Sequence, residues 1–289
     1  MNTTKSVGMN ATSAGSTAGP SQPHSIWTLA AAGFLAYYIT VMWHEIFGHG
    51  TAGYLVGARH FILTSTSMFS PDLPMSAQPL STQRITLSGR FVAFAGPLAN
   101  AIMGFAIYPI FRAATRRNAN LTLRYFLWLL AALNFFLGFM YMVFSGIFSV
   151  GDYAAVIAFL PFHALLRTLE VLIGTLLGVV TVRFFAPSFA EFSENLWRLS
   201  LVPYVSATLV FCLTGLRIPN STHFMLVAVI PASLMGQAIL VFITPVARRL
   251  RVATPRPEAI RTSPVMIAIA LVFVVVVYLT APGVNFTLP

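Results

Sequence analysis

The sequence has very little charge. Only 8% of its 289 residues are Asp, Glu, Lys or Arg, whereas soluble globular domains carry about 25%. Because 57% of the residues are apolar, too few polar side chains remain to cover the surface of a water-soluble domain of this length. This shortage excludes a soluble protein and indicates that the chain lies in lipid.

Cysteine and acidic residues are also scarce. The one cysteine, Cys212, lies in an apolar run, so an intrachain disulfide and a cysteine-rich metal site are both excluded. Asp and Glu together number 7, against 17 Lys and Arg. Any metal ion must therefore be held by histidines and by a few carboxylates.

The basic residues lie between apolar segments, as in the groups Arg112, Arg116, Arg117 and Arg124, and Arg248, Arg249 and Arg251. Such arginines are typical of loops that anchor membrane spans on the cytoplasmic side. We therefore predict no nucleic-acid partner, and a multi-pass integral protein of the cytoplasmic (plasma) membrane. On this count the beginning of the chain is cytoplasmic.

Long apolar runs dominate the rest of the chain. A spanning helix needs roughly 20 mostly apolar residues, and seven runs match this template: 26–57, 89–111, 125–148, 165–182, 201–216, 223–246 and 264–281. The fold class predicted is all-α, a polytopic helical membrane protein with about seven transmembrane helices. Residues 1–25, rich in Ser, Thr, Gly and Ala, are predicted to form a disordered tail.

The segment between the first two runs has a different pattern. Residues 60–66 are β-prone, and a proline-rich stretch with Pro71, Pro74 and Pro79 follows. This pattern predicts a short membrane-associated strand or hairpin between the first two helices.

Ionisable side chains inside the apolar runs are the candidates for function, since each costs about 2.5–3.5 kcal/mol to insert. The densest group is His44, Glu45 and His49 in the first run, and Asp152 follows the third. Two histidines and a carboxylate from a distant helix form a catalytic zinc set that leaves one position open for water. Glu45 would then be the base that takes a proton from that water.

The spacing of the two histidines is unusual. The zinc helix pattern is His-Glu-x-x-His, whereas His44-Glu45-Ile46-Phe47-Gly48-His49 contains one residue more. At about 100° per residue, a regular helix leaves the two rings roughly 140° apart. A one-residue π-bulge restores convergence, and we place it at Gly48 because glycine tolerates unusual dihedral angles.

Structural roles for the same residues remain open alternatives. His44 and His49 can be interior histidines bonded to neighbouring helices, with Glu45 paired to an arginine. Asp152 can cap the helix that starts at Tyr153. Glu170 lies three residues after Arg167, which favours a local ion pair. Interfacial roles are expected for the remaining histidines considered: His60, His163 and His223.

The same residues resemble the site-2 protease family of intramembrane zinc metalloproteases. The strongest match is Ala95-Gly96-Pro97-Leu98-Ala99-Asn100, which is similar to the family's Ala-Gly-Pro-x-x-Asn motif, and Gly57-Ala58-Arg59 also fits. The resemblance covers roughly residues 27–160. It divides the chain into the tail 1–25, a site-2-protease-like core 26–163 and additional transmembrane helices 164–289.

The resemblance implies roles for individual residues. His44, His49 and Asp152 would bind Zn²⁺, Glu45 would be the catalytic base, and Asn100 a catalytic polar group near the substrate or the oxyanion. The substrate would be a membrane protein cleaved in or near its span in the lipid bilayer; the sequence does not indicate an oligomeric state.

The chain departs from the family pattern at three points. The spacing of the histidines is similar to that of the dipeptidyl peptidase III family, and Gly-Asp-Tyr stands where the family commonly has Leu-Asp-Gly. The family places its first loop on the cytosolic side, which is opposite to the side that the charge count predicts.

The alternative function is a non-catalytic membrane scaffold, chaperone or transport element that retains the protease fold. A secondary transporter predicts duplicated halves, and the sequence shows no internal repeat.

Overall fold

The computed structural model describes residues 24–73, 86–193, 195–218, 226, 229–250 and 259–289. It is a polytopic helical membrane protein, as predicted. The helices are α1 (Ile26–Met42), α2 (Thr51–Leu55), α3 (Leu87–Arg116), α4 (Leu121–Phe148), α5 (Asp152–Ile157), α6 (His163–Ala190), α7 (Leu196–Gly215), α8 (Ile230–Gly236), α9 (Ile239–Arg249) and α10 (Pro264–Thr280). A π-helical segment, Trp43–Gly50, joins α1 to α2. The predicted tail lies outside the described residues up to residue 23.

Six helical segments of the described chain are long and apolar enough to cross a membrane: Ile26–Leu55, Leu87–Arg116, Leu121–Phe148, His163–Ala190, Leu196–Gly215 and Ile230–Arg249. The seventh predicted run forms α10, which has 17 residues and is at the short end of the range for a span. Part of the sixth predicted run, including His223, lies outside the described residues.

Helix α4 is the centre of the bundle, and it packs against α1, α3 and α6. Trp128, Leu129 and Leu133 of α4 are fully buried. The outer helices keep large apolar side chains on the surface, as at Leu172 and Leu176 of α6. In lipid such a face has no hydrophobic penalty, so van der Waals packing of buried side chains holds the helices together.

A small sheet lies at one end of the bundle. The predicted hairpin is confirmed: β1 (His60–Leu63) pairs antiparallel with β2 (Met68–Phe69). A third strand, β3 (Val284–Thr287), was not predicted, and it pairs with the other edge of β1 to give the order β2-β1-β3. A strand from the predicted segment of additional helices, 164–289, thus completes a sheet that belongs to the predicted site-2-protease-like segment, 26–163.

Helix α10 connects the two ends of the bundle. Where it begins, the Ser263 N–H donates to Thr28 Oγ1 at 2.9 Å, and the Ser25 N–H donates to the Ile260 carbonyl at 2.8 Å. After α10 the chain enters β3 beside β1. Helix α10 therefore runs in the same direction as α1, from the shared beginning of both helices to the sheet.

Candidate metal centre

Three predicted ligands lie together in the structure. His44 Nε2 is 2.9 Å from Asp152 Oδ2, His49 Nε2 is 3.3 Å from Asp152 Oδ1, and the two Nε2 atoms are 3.1 Å apart. All three donor groups lie within 4.8 Å of one another. The sequence separates Asp152 from the histidines by about a hundred residues, and the fold brings them to one point.

The backbone around the histidines explains why both rings reach this point. Residues Trp43–Gly50 form a π-helix, in which i→i+5 hydrogen bonds place residues five apart on one face. His44 and His49 are five apart, so their rings converge, and the helix ends with the Thr51 N–H bonded to the carbonyl of Ile46. The predicted helix distortion is confirmed, although it extends over eight residues instead of one.

The expectation that Gly48 is needed for an unusual backbone dihedral angle is wrong. Among the described glycines, positive φ angles occur at Gly57, Gly151 and Gly283, and Gly48 is not one of them. A Cβ at Gly48 would lie 2.5 Å from Gly96 Cα and 2.9 Å from the Ala95 carbonyl oxygen. Gly48 is needed because the backbone of α3 crosses the π-helical segment at contact distance.

Gly96 serves the same close crossing from the other side. A Cβ on Gly96 would lie 2.5 Å from His44 Nε2 and 2.7 Å from His49 Cε1. The imidazoles therefore fill the volume that any larger residue at position 96 would occupy. This contact accounts physically for the glycine in the Ala-Gly-Pro string.

Asp152 reaches the histidines because of the turn before it. Helix α4 ends at Phe148, and its C-cap residue Ser149 has φ 58°. Gly151 follows with φ 87°, where glycine is favoured. Asp152 is the first residue of α5, whose N-cap is Gly151 without a side-chain cap. The alternative that Asp152 acts as an N-cap is therefore wrong, since its carboxylate points to the imidazoles.

Two arginines brace the segment that carries Asp152. Arg167 donates from Nε to the Gly146 carbonyl at 2.8 Å and from Nη2 to the Ile147 carbonyl at 2.9 Å. Arg90 donates to the carbonyl of Val156, and its Nη2 donates to the Ala158 carbonyl at 2.6 Å. Both guanidinium groups satisfy carbonyls at helix ends, one on each side of Asp152.

The outer ring nitrogens of both histidines have partners. His49 Nδ1 lies 2.8 Å from the Val92 carbonyl oxygen, so it carries the proton and leaves Nε2 free to bind a metal. His44 Nδ1 lies 3.1 Å from Asn100 Nδ2, while Asn100 Oδ1 has no partner among the described residues. Rotating this amide by 180° lets Oδ1 accept a proton from His44 Nδ1, which frees Nε2 of His44 as well. Backbone carbonyls and side-chain oxygens commonly orient metal-binding histidines in this way.

The donor set fits a zinc ion. Zinc bonds of about 2.0–2.1 Å in a tetrahedron place neighbouring ligand atoms ~3.3 Å apart. His44 Nε2 and His49 Nε2 are 3.1 Å apart, which is close to this separation, and the two oxygens of Asp152 lie 2.9 and 3.3 Å from one histidine each. Two neutral imidazoles and one carboxylate are also the ligand types that catalytic zinc sites use, with a fourth position left for water.

Glu45 lies beside the ligands and is held by the sheet. Its Oε2 accepts the backbone N–H of Met68, in β2, at 2.8 Å, and its side chain is buried. No arginine pairs with Glu45 among the described residues, so that alternative is wrong. The hairpin predicted from the sequence thus holds one oxygen of the Glu45 carboxylate through the Met68 N–H.

Tyr141 was missed in the sequence. Its ring centroid lies 5.6 Å from that of His44, with the planes at 60°. A single tyrosine in an apolar run of α4 carries no spacing signal, and only the packing of α4 against the π-helical segment reveals its position.

Other ionisable residues stay away from the ligands. His60 pairs with Asp72, with Nδ1 and Oδ1 3.0 Å apart, and His163 is exposed at the start of α6. Hydrogen bonds from the backbone N–H groups of Arg59 and His60 lower the pKa of Asp72 to about 2. The predicted Glu170–Arg167 ion pair is wrong, since Arg167 binds carbonyls, and both Glu170 oxygens lack partners among the described residues.

No protein-family model, curated protein or solved structure matches this chain. The function of this chain is therefore inferred from the geometry of His44, His49 and Asp152 and from the motifs in the sequence.

Proposed function

We propose that this chain is an intramembrane zinc metalloprotease, a divergent relative of the site-2 protease family. It hydrolyses a peptide bond in or near the membrane-spanning segment of a protein substrate. The observation that supports this proposal most strongly is the convergence of His44, His49 and Asp152 through a π-helix, with Glu45 held beside them. A purely structural helical bundle has no need of so distorted a helix at a buried group of ionisable residues.

Bound zinc would polarise the scissile carbonyl and lower the pKa of its water from about 9 in aqueous solution towards 7. Glu45 is the group that transfers the proton from the water to the leaving amine. Because Oε2 accepts the Met68 N–H, Oε1 is the oxygen that takes a proton from the attacking water. The proton then passes to the nitrogen of the leaving amine.

Asn100 takes a positioning role in this proposal. The sequence motif placed it near the substrate or the oxyanion, whereas its amide lies at His44 Nδ1, on the side of the ring away from Asp152. From there it fixes the tautomer and orientation of His44. Val92 does the same for His49 through its carbonyl.

The position of the same residues indicates where in the membrane the substrate would be cleaved. The ligands lie in and between membrane-spanning helices, so a substrate must present its peptide bond within the bilayer. We propose a multi-pass protein of the cytoplasmic membrane, on the basis of the alternating apolar segments and the arginine-rich connections between them. A membrane protein is the substrate class.

The direct test compares zinc-loaded wild type with Glu45→Gln in detergent, using a candidate membrane substrate. We expect Glu45→Gln to bind zinc and to lose cleavage by at least about a hundredfold, as for a general base. Glu170→Gln is a matched control, because it makes the same change at another buried carboxyl and should cleave like wild type. Equal cleavage by wild type and Glu45→Gln would exclude the proposed base.

One observation favours a non-catalytic scaffold with a structural metal. The cluster is almost sealed, since His44 is 4% exposed and His49 is 6% exposed. A substrate can reach the ligands only after a movement of the surrounding segments. Zinc bound at one ion per chain, together with no cleavage of any membrane substrate tested, would support this second function.

A further inference from the structure

Tyr141 lacks the hydroxyl hydrogen bond that three other buried or half-buried tyrosines of the described bundle make. The hydroxyl of Tyr125 donates to the Leu199 carbonyl, that of Tyr153 to Gly138 at 3.0 Å, and that of Tyr204 to Leu234 at 3.4 Å. The Tyr141 hydroxyl makes no hydrogen bond to any described residue, and the residue is partly exposed. The hydroxyl is therefore free to donate to a group that enters beside the candidate metal centre.

The ring of Tyr141 lies between the His44 ligand and the turn that precedes Asp152. It packs at an angle on the His44 imidazole. A Cβ built on Gly151 would lie 3.0 Å from Tyr141 Cε1, and Cε1 is bonded to the carbon that carries the hydroxyl. The hydroxyl end of the ring therefore lies at the turn that presents Asp152.

Several other side-chain donors around the ligands are already engaged. His49 Nδ1 bonds to the Val92 carbonyl and His44 lies against Asn100, while Trp43 Nε1 donates to the Ala99 carbonyl at 2.9 Å. Glu45 and Asp152 are acceptors. Ser145 Oγ and the rotated amide of Asn100 also lack acceptors among the described residues, but both side chains are fully buried. Tyr141 is partly exposed, so its hydroxyl is the free donor that a substrate can reach most directly.

We propose that Tyr141 is a catalytic residue whose hydroxyl donates a hydrogen bond to the oxyanion formed during peptide hydrolysis. This inference rests on the proposed function. When the water oxygen bonds to the carbonyl carbon, the π electrons move to the carbonyl oxygen and create a negative charge. The phenol keeps its proton throughout and stabilises that charge, and the charge disappears when the carbon–nitrogen bond breaks and the amine takes the proton from Glu45.

The test uses Tyr141→Phe, with Tyr204→Phe as the control because it removes a tyrosine hydroxyl from α7, where that group donates to the Leu234 carbonyl outside the cluster. Zinc content, kcat and KM are measured for each. We expect Tyr141→Phe to keep its zinc and its KM while kcat falls about 10²–10³-fold, the loss typical of one oxyanion donor. Tyr204→Phe should match wild type.

A second readout does not depend on turnover. Direct titration with a zinc-binding phosphinic peptide, which imitates the tetrahedral intermediate, should show a weaker Kd for Tyr141→Phe. A hydroxamate of the same peptide lacks the tetrahedral oxyanion and should bind both proteins alike.

The outcomes separate this inference from the proposed function. If wild type and Glu45→Gln cleave equally, the proposed function fails whatever Tyr141 does. If Glu45→Gln is inactive while Tyr141→Phe stays within about twofold of wild type, a change too small for a lost donor, the inference about Tyr141 is overturned. Loss of zinc in Tyr141→Phe would also overturn it, because the ring would then be supporting the ligands.

Discussion

At the scale of the residue, two glycines are as important for the site as the ligands, because a side chain at either position would not fit. Gly48 and Gly96 let α3 cross the π-helical segment so closely that the backbone of α3 lines one side of the imidazoles. The sequence identifies the ligands by their chemistry, since few other ionisable groups lie in apolar runs. It cannot identify Tyr141 or the partner of Asn100, because those contacts depend on how neighbouring helices pack.

Gly96→Ala tests the close crossing. The new methyl group would lie within 2.7 Å of both imidazoles, closer than any real contact, so either the rings or α3 must move. We expect the variant to fold and to lose most of its zinc, measured by metal analysis of the purified protein.

Gly104→Ala is the matched control on the same helix. Its methyl group would lie 2.8 Å from Phe135 Cδ2, which is equally crowded but remote from the imidazoles. It should lower the thermal stability and retain zinc. Full zinc occupancy in Gly96→Ala would show that the crossing does not determine the geometry of the ligands.

At the scale of the element, the sequence predicts the π-helix and the hairpin but not β3. The π-helix follows from a local spacing, and the hairpin follows from a local β-prone pattern. The pairing of β3 with β1 joins residues more than two hundred positions apart, and no local pattern encodes it. This pairing matters for the proposed catalytic base, because β3 pairs with β1 and β1 pairs with β2. Met68 of β2 in turn donates its N–H to the Glu45 carboxylate.

Phe286→Ala tests this chain of contacts. Phe286 of β3 stacks on Phe61 of β1 with centroids 5.6 Å apart, and an aromatic pair across strands stabilises a sheet by about 0.2–1 kcal/mol. We expect faster hydrogen exchange in the peptide that contains Met68 and a severalfold loss of kcat, with zinc unchanged because the ligands lie on helices.

Val284→Ala is the control, since Val284 lies on the same strand and is 43% exposed. Its exchange and activity should stay near those of wild type. Zinc loss in Phe286→Ala, or unchanged exchange at Met68, would show that the sheet does not act on Glu45 in this way.

At the scale of the whole molecule, the composition predicts the helical membrane fold and nearly all of its spans. The seventh, α10, has 17 residues and is shorter than the other six, at the lower limit for a span. Composition also leaves the orientation open, since the charge count and the family resemblance point in opposite directions. The structure groups the charges: Arg261 and the connection after α3 lie at the end where α1 begins, opposite the sheet.

This grouping predicts that the arginine-rich end is cytoplasmic and that the sheet faces outward. In a Cys212→Ser background, single cysteines at Ala119 and Asn285 mark the two ends. A membrane-impermeant thiol reagent added to intact cells should label Asn285→Cys and not Ala119→Cys. The reverse labelling would show that the site-2 protease orientation holds instead.

The central claim is that one zinc ion unites the three side chains, and metal analysis of the purified protein tests it most directly. Wild type and Glu45→Gln should each contain about one zinc per chain, whereas His44→Ala, His49→Ala and Asp152→Ala should each contain almost none. Wild type without zinc after purification in zinc-containing buffer, or an Asp152→Ala variant that retains it fully, would contradict the account.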